Sequence, residues 1–201
     1  MHLINPLRCL AVGLAVVCFV CVSHGLDPNR LTSQYVREQW NVERELPGGS
    51  VNAIGQTADG YLWIGTDNGL IRFDGFNLHP VPFSSPVPNP NSPVLGLTTD
   101  AEGNLLVRLQ GAGLLRKRNG KFESIDTGPI PAASQVTAMW RNGNGEVLLW
   151  DLSNSTLRLR NEKVERVELP KFFRELPPVV SIAEAPSGDI WFGTINAGLF
   201  S

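Results

Sequence analysis

Apolar residues in this chain come in short bursts bounded by polar turns, and one burst recurs. Asp59-Gly60-Tyr61-Leu62-Trp63-Ile64-Gly65-Thr66 is a tight turn followed by an apolar run that a glycine closes. Glu102-Gly103-Asn104-Leu105-Leu106-Val107, Asn144-Gly145-Glu146-Val147-Leu148-Leu149-Trp150 and Ser187-Gly188-Asp189-Ile190-Trp191-Phe192-Gly193-Thr194 are further copies. The turn glycines Gly60, Gly103, Gly145 and Gly188 stand 43, 42 and 43 residues apart. A fixed period in the low forties with strand patterning predicts a β-propeller. Within the first copy Leu62 and Ile64 face one way and Trp63 the other, yet all three are apolar. Such a strand needs cover on both faces. Blades packed against neighbouring blades supply it.

The expected fold is therefore all-β, a propeller of four-stranded blades: three full blades and part of a fourth. The blades are placed at residues 51–81, 94–124, 136–169 and 179–201. Before them, Tyr35-Val36-Arg37-Glu38-Gln39-Trp40 opens an alternating stretch, residues 35–46, that reads as a leading strand. In a closed propeller it would complete the last blade. Residues 80–93 hold six prolines in 14 positions, a composition expected to stay out of a sheet ladder. They read as a stiff connector, with a proline-rich docking motif as the sharper alternative. The last copy stops within its third strand. An open arc with an exposed blade face and unpaired edges follows, and the front part of a longer protein is expected.

Residues 1–25 are a different material. One arginine, Arg8, precedes an apolar run from Cys9 to Val22, and Ser23-His24-Gly25 places small residues before Leu26. This reads as a secretory signal peptide, which places the mature protein in the periplasm or outside the cell. Its alternative is an uncleaved anchor. All 3 cysteines lie in this leader, so the remainder offers no disulfide, thiolate ligand or cysteine nucleophile. Net charge is −2, which gives no basic footprint for nucleic acid. Membrane attachment would come only through the leader or through segments further downstream.

The repeat has the form (V/I)-x-x-(I/L), then (D/E)-G-x-(L/I)-W-(I/F)-G-T, then G-L. It is complete around Trp63 and nearly so around Trp191. The copies around Leu106 and Trp150 lack the W-(I/F)-G-T core. The repeat resembles that of the two-component regulator propeller family. The resemblance spans residues 35–201 and implies the exported sensor part of a bacterial receptor. Such sensors usually precede a β-sandwich domain, a membrane helix and a histidine kinase or diguanylate cyclase, none of which this chain contains. Ser187-Gly188-Asp189-Ile190-Trp191-Phe192 also resembles the repeat of streptogramin-lyase-like propellers. Two further readings stay open: an exported propeller enzyme, such as a lyase or glycoside-processing protein, and a protein-binding scaffold.

Candidate chemistry is sparse. Outside the leader the histidine is His79, expected on an outer strand. A serine relay needs a histidine beside a nucleophile, and no G-x-S-x-G elbow is present. No catalytic residue, metal site or cofactor is expected. The Asp-Gly and Asn-Gly turns lack the D-x-D-x-D ladder of calcium loops and are explained by turn chemistry. Trp63, Trp140, Trp150 and Trp191 are expected between blades rather than as sugar platforms. A binding site, if present, belongs on the rim where second-to-third-strand loops meet inter-blade loops. Asp67, Asn68, Gln110, Asn154 and Asn196 are its candidates, small polar groups suited to a hydroxylated extracellular small molecule or glycan. Further blades or a protein partner are the expected occupants of the open edge.

Overall fold

The computed structural model describes residues 49–84, 87, 89–111, 113–126, 136–151, 155–160, 163–168 and 171–201, together with 31, 33 and 46. The predicted leader, and the predicted leading strand apart from Leu46, lie outside the described residues. By internal contacts the chain divides into Met1–Gln39 and Trp40–Ser201, and the sheets belong to the second unit.

The molecule is all-β, a propeller of four small antiparallel sheets. The first blade is β1 (Val51–Gln56), β2 (Leu62–Thr66), β3 (Gly69–Phe73) and β4 (Leu78–Val81). The second is β5 (Val94–Thr99), β6 (Leu105–Leu109), β7 (Gly113–Arg118) and β8 (Lys121–Ser124). The third is β9 (Val136–Arg141), β10 (Val147–Asp151), β11 (Thr156–Arg160) and β12 (Lys163–Val167). A short helix, α1 (Lys171–Glu175), leads to β13 (Val179–Glu184), β14 (Ile190–Thr194) and β15 (Gly198–Phe200). Each sheet pairs its strands in chain order. The runs are too short for helices, and the turn between the first two strands of each blade decides the pairing. There Gly60, Gly103, Gly145 and Gly188 all adopt positive φ, from 80° to 90°. A side chain rarely tolerates that geometry, which explains why glycine marks the period.

Each sheet offers two faces, and the core forms where the front of one blade meets the back of the next. Trp63 and Leu70 of the first blade pack with Val94, Leu105, Val107, Leu109 and Leu115 of the second. Leu106 and Leu114, on the opposite face of the second, pack with Val136, Val147, Leu149 and Leu157 of the third. Ala138 and Trp150 of the third pack with Val179 and Phe192 of the fourth, capped by Leu176 beside α1. Leu105, Val107 and Leu109 of β6 enter one core and Leu106 the next, which is why the strand is apolar on both faces apart from Arg108. Burying each leucine contributes about 1.5–3 kcal/mol.

Two expectations are corrected. Pro80 joins the ladder, opposite Ile71 in β4. β4 is the outermost strand, and an edge position tolerates a residue with no N–H to donate. Phe83 and Val87 of the proline-rich connector are buried in the core between the first two blades. A docking motif would need them free. Trp191 is the second correction. Trp63 is buried, but Trp191 at the same position of the fourth blade is 42% exposed. Its face corresponds to the one that Trp63 presents to the second blade, and among the described residues no blade covers it.

Candidate functional site

The four inner strands β1, β5, β9 and β13 converge on a cleft of about 180 Å³. Asn52, Ile54, Arg108, Thr137, Met139 and Ser181 are among its walls. Every inner strand is irregular at its second residue. The register slips between Val51 and Ala53, between Val94 and Gly96, and between Val179 and Ser181. In the third blade the slip lies between Trp150 and Asp151, leaving Thr137 unpaired in the ladder. A bulge frees one residue and re-aims its side chain. The freed residues are Asn52, Leu95, Thr137 and Val180.

Two of the freed side chains reach the neighbouring blade. Asn52 Nδ2 donates to the Val94 carbonyl at 3.1 Å, and Thr137 Oγ1 donates to the Val179 carbonyl at 2.6 Å. Leu95 has nothing to donate. Arg108 acts in its place, with Nη1 on the Val136 carbonyl at 2.6 Å and Nη2 on the Leu95 carbonyl at 3.0 Å. Burial pulls the Arg108 guanidinium below its ordinary value. Arg108 stands where blades one and four have Gly65 and Gly193. That departure marks the position in the sequence without showing what the side chain reaches.

The candidate rim residues lie at the same end of the blades. Asp67 and Asn68 form the β2–β3 turn, Gln110 opens the β6–β7 turn, and Asn196 sits in the β14–β15 turn with φ 62°. Each turn is tied to the strand entering its blade. Asp67 N donates to Ser50 O, Gln110 N to Pro93 O, and Ile195 N to Pro178 O. Asp67 is exposed, and its Oδ1 accepts from Asn52 Nδ2 at 2.8 Å while Oδ2 accepts from Ser50 N. The Asn52 amide, then the Ser50 N–H, hold its carboxyl below the ordinary value. Through Asn52 the turn is connected to the cleft. Asn68 N donates to Thr66 Oγ1. Asn154 lies outside the described residues. Asn52 and Thr137 carry no distinguishing sequence mark, because the bulge that selects them appears only in the pairing.

A wider cleft of about 490 Å³ opens at the opposite end, between the second and third blades. Asp100, Glu102, Arg116, Asn144, Glu146 and Arg160 line it. Arg116 Nε lies 2.9 Å from Asp100 Oδ2, both side chains buried, in an alignment outside hydrogen-bond geometry. The same carboxylate accepts from Asn104 N and Nδ2. His79 lies on β4, its Nε2 2.8 Å from Asp74 Oδ2, remote in the fold from the inner strands. Among the described residues no group of three or more His, Cys, Asp or Glu is placed to hold a metal ion. No described helix is long and apolar enough to cross a membrane.

Residues 45–68, from just before β1 to the β2–β3 turn, match the family model of the two component regulator propeller. The chain carries a two-component regulator propeller repeat. Solved structures share the fold of the whole array. The extracellular domain of one hybrid two-component system from B. thetaiotaomicron superposes with TM-score 0.60 at 22% identity, over 81% of this chain and 24% of that one. A second from the same organism gives 0.58 at 20% identity, over 77% and 21%. Virginiamycin B lyase from Staphylococcus aureus gives 0.52 at 19% identity, over 71% and 48%. This chain therefore spans about a quarter or less of the extracellular domains it resembles. No curated protein matches it by sequence.

Proposed function

We propose that this chain is an exported, ligand-sensing propeller module of a two-component type receptor. The regulator-propeller repeat at residues 45–68 carries this reading. It lies in an array whose fold recurs in extracellular domains of hybrid two-component systems. Export agrees with the leader-like residues 1–25. As a sensor the chain catalyses nothing itself. Its ligand is a small polar molecule, such as a sugar fragment, held where four blades meet. The cleft is smaller than the roughly 300–1,000 Å³ of drug-sized pockets, so Ser181 and Thr137 would touch one polar end of a ligand whose remainder lies on the rim at Asp67, Asn68, Gln110, Asn154 and Asn196.

The lyase reading has less support. A catalytically inactive form of the Staphylococcus aureus enzyme is a histidine-to-alanine variant, whereas the described histidine here sits on an outer edge strand against Asp74. Thermal unfolding of the full chain against a panel of monosaccharides, oligosaccharides and amino acids tests the sensor. A binder at 100 times its Kd adds about 2.7 kcal/mol of stability, and Ser181→Leu should remove that gain. Turnover of a streptogramin or a lactone by the chain would overturn the reading.

A further inference from the structure

Among the described residues that wall the inner cleft, Arg108 alone is charged. Asn52, Thr137, Met139 and Ser181 around it are neutral. The Arg108 side chain crosses over Gly96, where an added Cβ would lie 3.3 Å from Nε and 3.0 Å from Met139 Cε. Its guanidinium bridges the second and third blades, away from both ends of the array.

Other arginines of the blades stand beside a carboxylate. Arg116 has Asp100, Arg158 has Glu165 and Arg160 has Glu146. Arg108 meets backbone carbonyls instead, Val136 through Nη1 and Leu95 and Thr137 through Nη2. Its Nε is buried with no hydrogen-bond partner among the described residues. Nη1 carries a second N–H beyond the one Val136 takes. Carbonyl groups satisfy donors but do not neutralise the charge. Burial disfavours the cation, and among the described residues no opposite charge works against that cost. An anion placed beside such a group offsets it, and the attraction is several-fold stronger near a protein surface than in bulk water.

We propose that the inner cleft binds the carboxylate of a small molecule, with Arg108 as its counter-charge and the Ser181 hydroxyl as a neutral donor. This rests on the sensor reading above and names the end of the ligand that enters the cleft. About 180 Å³ suits a head group rather than a whole drug-sized ligand. At the rim the exposed Asp67 carboxylate, held by Asn52 and Ser50, disfavours a second anion. The ligand therefore carries one carboxylate and neutral or cationic groups beyond it. A sugar acid and an amino acid share that chemistry.

Titration calorimetry of the full chain with matched pairs tests it, glucuronate against glucose and alanine against alaninamide. One acid should bind at least about tenfold tighter than its counterpart, the gain of a hydrogen bond to a charged group. The pair that responds identifies the source of the carboxylate. Arg108→Gln should bring that ratio near one. Arg108 also ties two blades together, so a second variant guards against loss of the fold. Met139→Glu keeps Arg108 and sets a carboxylate of the chain itself in the same cleft, and it should erase the preference too. An acid preference that survives Met139→Glu would overturn the proposal. Neutral members that bind as tightly as the acids, or a neutral sugar that stabilises the chain while neither acid binds, would overturn it and leave the sensor reading standing. No binding by any of these probes or by the wider panel would remove both.

Discussion

Trp63 and Trp191 occupy one position of one repeat and differ in what stands in front of them. Trp63 donates from Nε1 to Thr57 Oγ1 at 2.9 Å, and Lys117 of the next blade lies over its ring at 5.1 Å. Trp63→Ala should cost about 3–5 kcal/mol in urea unfolding, the range for a buried aromatic. Trp191→Ala, measured on dilute single copies, should cost about 1 kcal/mol. Equal losses would mean that the neighbour's cover adds nothing. The glycines next to them behave in parallel. Gly65→Ala must displace Val94 and should cost about 1–3 kcal/mol through overpacking. Gly193→Ala meets a hydroxyl tip and should be tolerated. Arg108 is the residue whose role sequence alone did not show. It is an arginine where blades one and four have glycine, and the pattern gives no reason for the change. The reason is Leu95 at the bulge, which cannot bond the next blade. Arg108→Met keeps the packed stem but leaves the Val136 and Leu95 carbonyls without their charged donor, and should cost about 1.5–3 kcal/mol.

The turns and edge strands carry the polar chemistry of each element. The β1–β2 turn was legible because Gly60 and its counterparts need positive φ, a demand made by the local backbone alone. The helix α1 was not legible. Its Phe173 is held by contact with Phe192 of the fourth blade at 5.2 Å between ring centroids, a contact between residues far apart in the chain. Pro80 was misread for a related reason, although β4 itself was placed correctly. Proline forbids a central strand but tolerates an edge, and which strand is the edge is a property of the sheet. The charged cleft between blades two and three was also invisible, since Asp100 and Arg116 are ordinary turn and strand residues until the sheet pairs them. Asp100→Asn takes the carboxylate away from the buried Arg116 guanidinium and should cost about 1–3 kcal/mol, while adding Arg116→Met should return part of it. At the outer edge, the N–H of Asn77, the His79 ring and the N–H of Phe76 hold the Asp74 carboxyl well below the usual carboxylate range. A lowered folded value stabilises fully above the unfolded value, about 3.9 for aspartate. That stability is lost as pH falls through the folded value. Asp74→Asn should therefore be less stable than the parent near neutral pH, and the gap should close on acidification. A gap that widens toward low pH would reverse the assignment.

In the molecule as a whole, stability should be graded along the arc. Each blade of such an array draws its core from its neighbours alone, so its stability follows the faces they cover. The second blade is covered on both sides, with Leu105, Val107 and Leu109 in one core and Leu106 and Leu114 in the next. The third is covered likewise by the second and fourth. The fourth buries Phe192 and Val179 behind it and presents Trp191 and Leu199 to solvent in front. Among the described residues it also has three strands, with β15 outermost. Local opening follows such differences in covered apolar area and unpaired backbone. Amide hydrogen exchange on dilute single copies should show β6 and β10 protected to the level of global unfolding, and β14 and β15 exchanging well before them. Uniform protection along the arc at low concentration would show that the uncovered blade gains its stability from somewhere other than its neighbour.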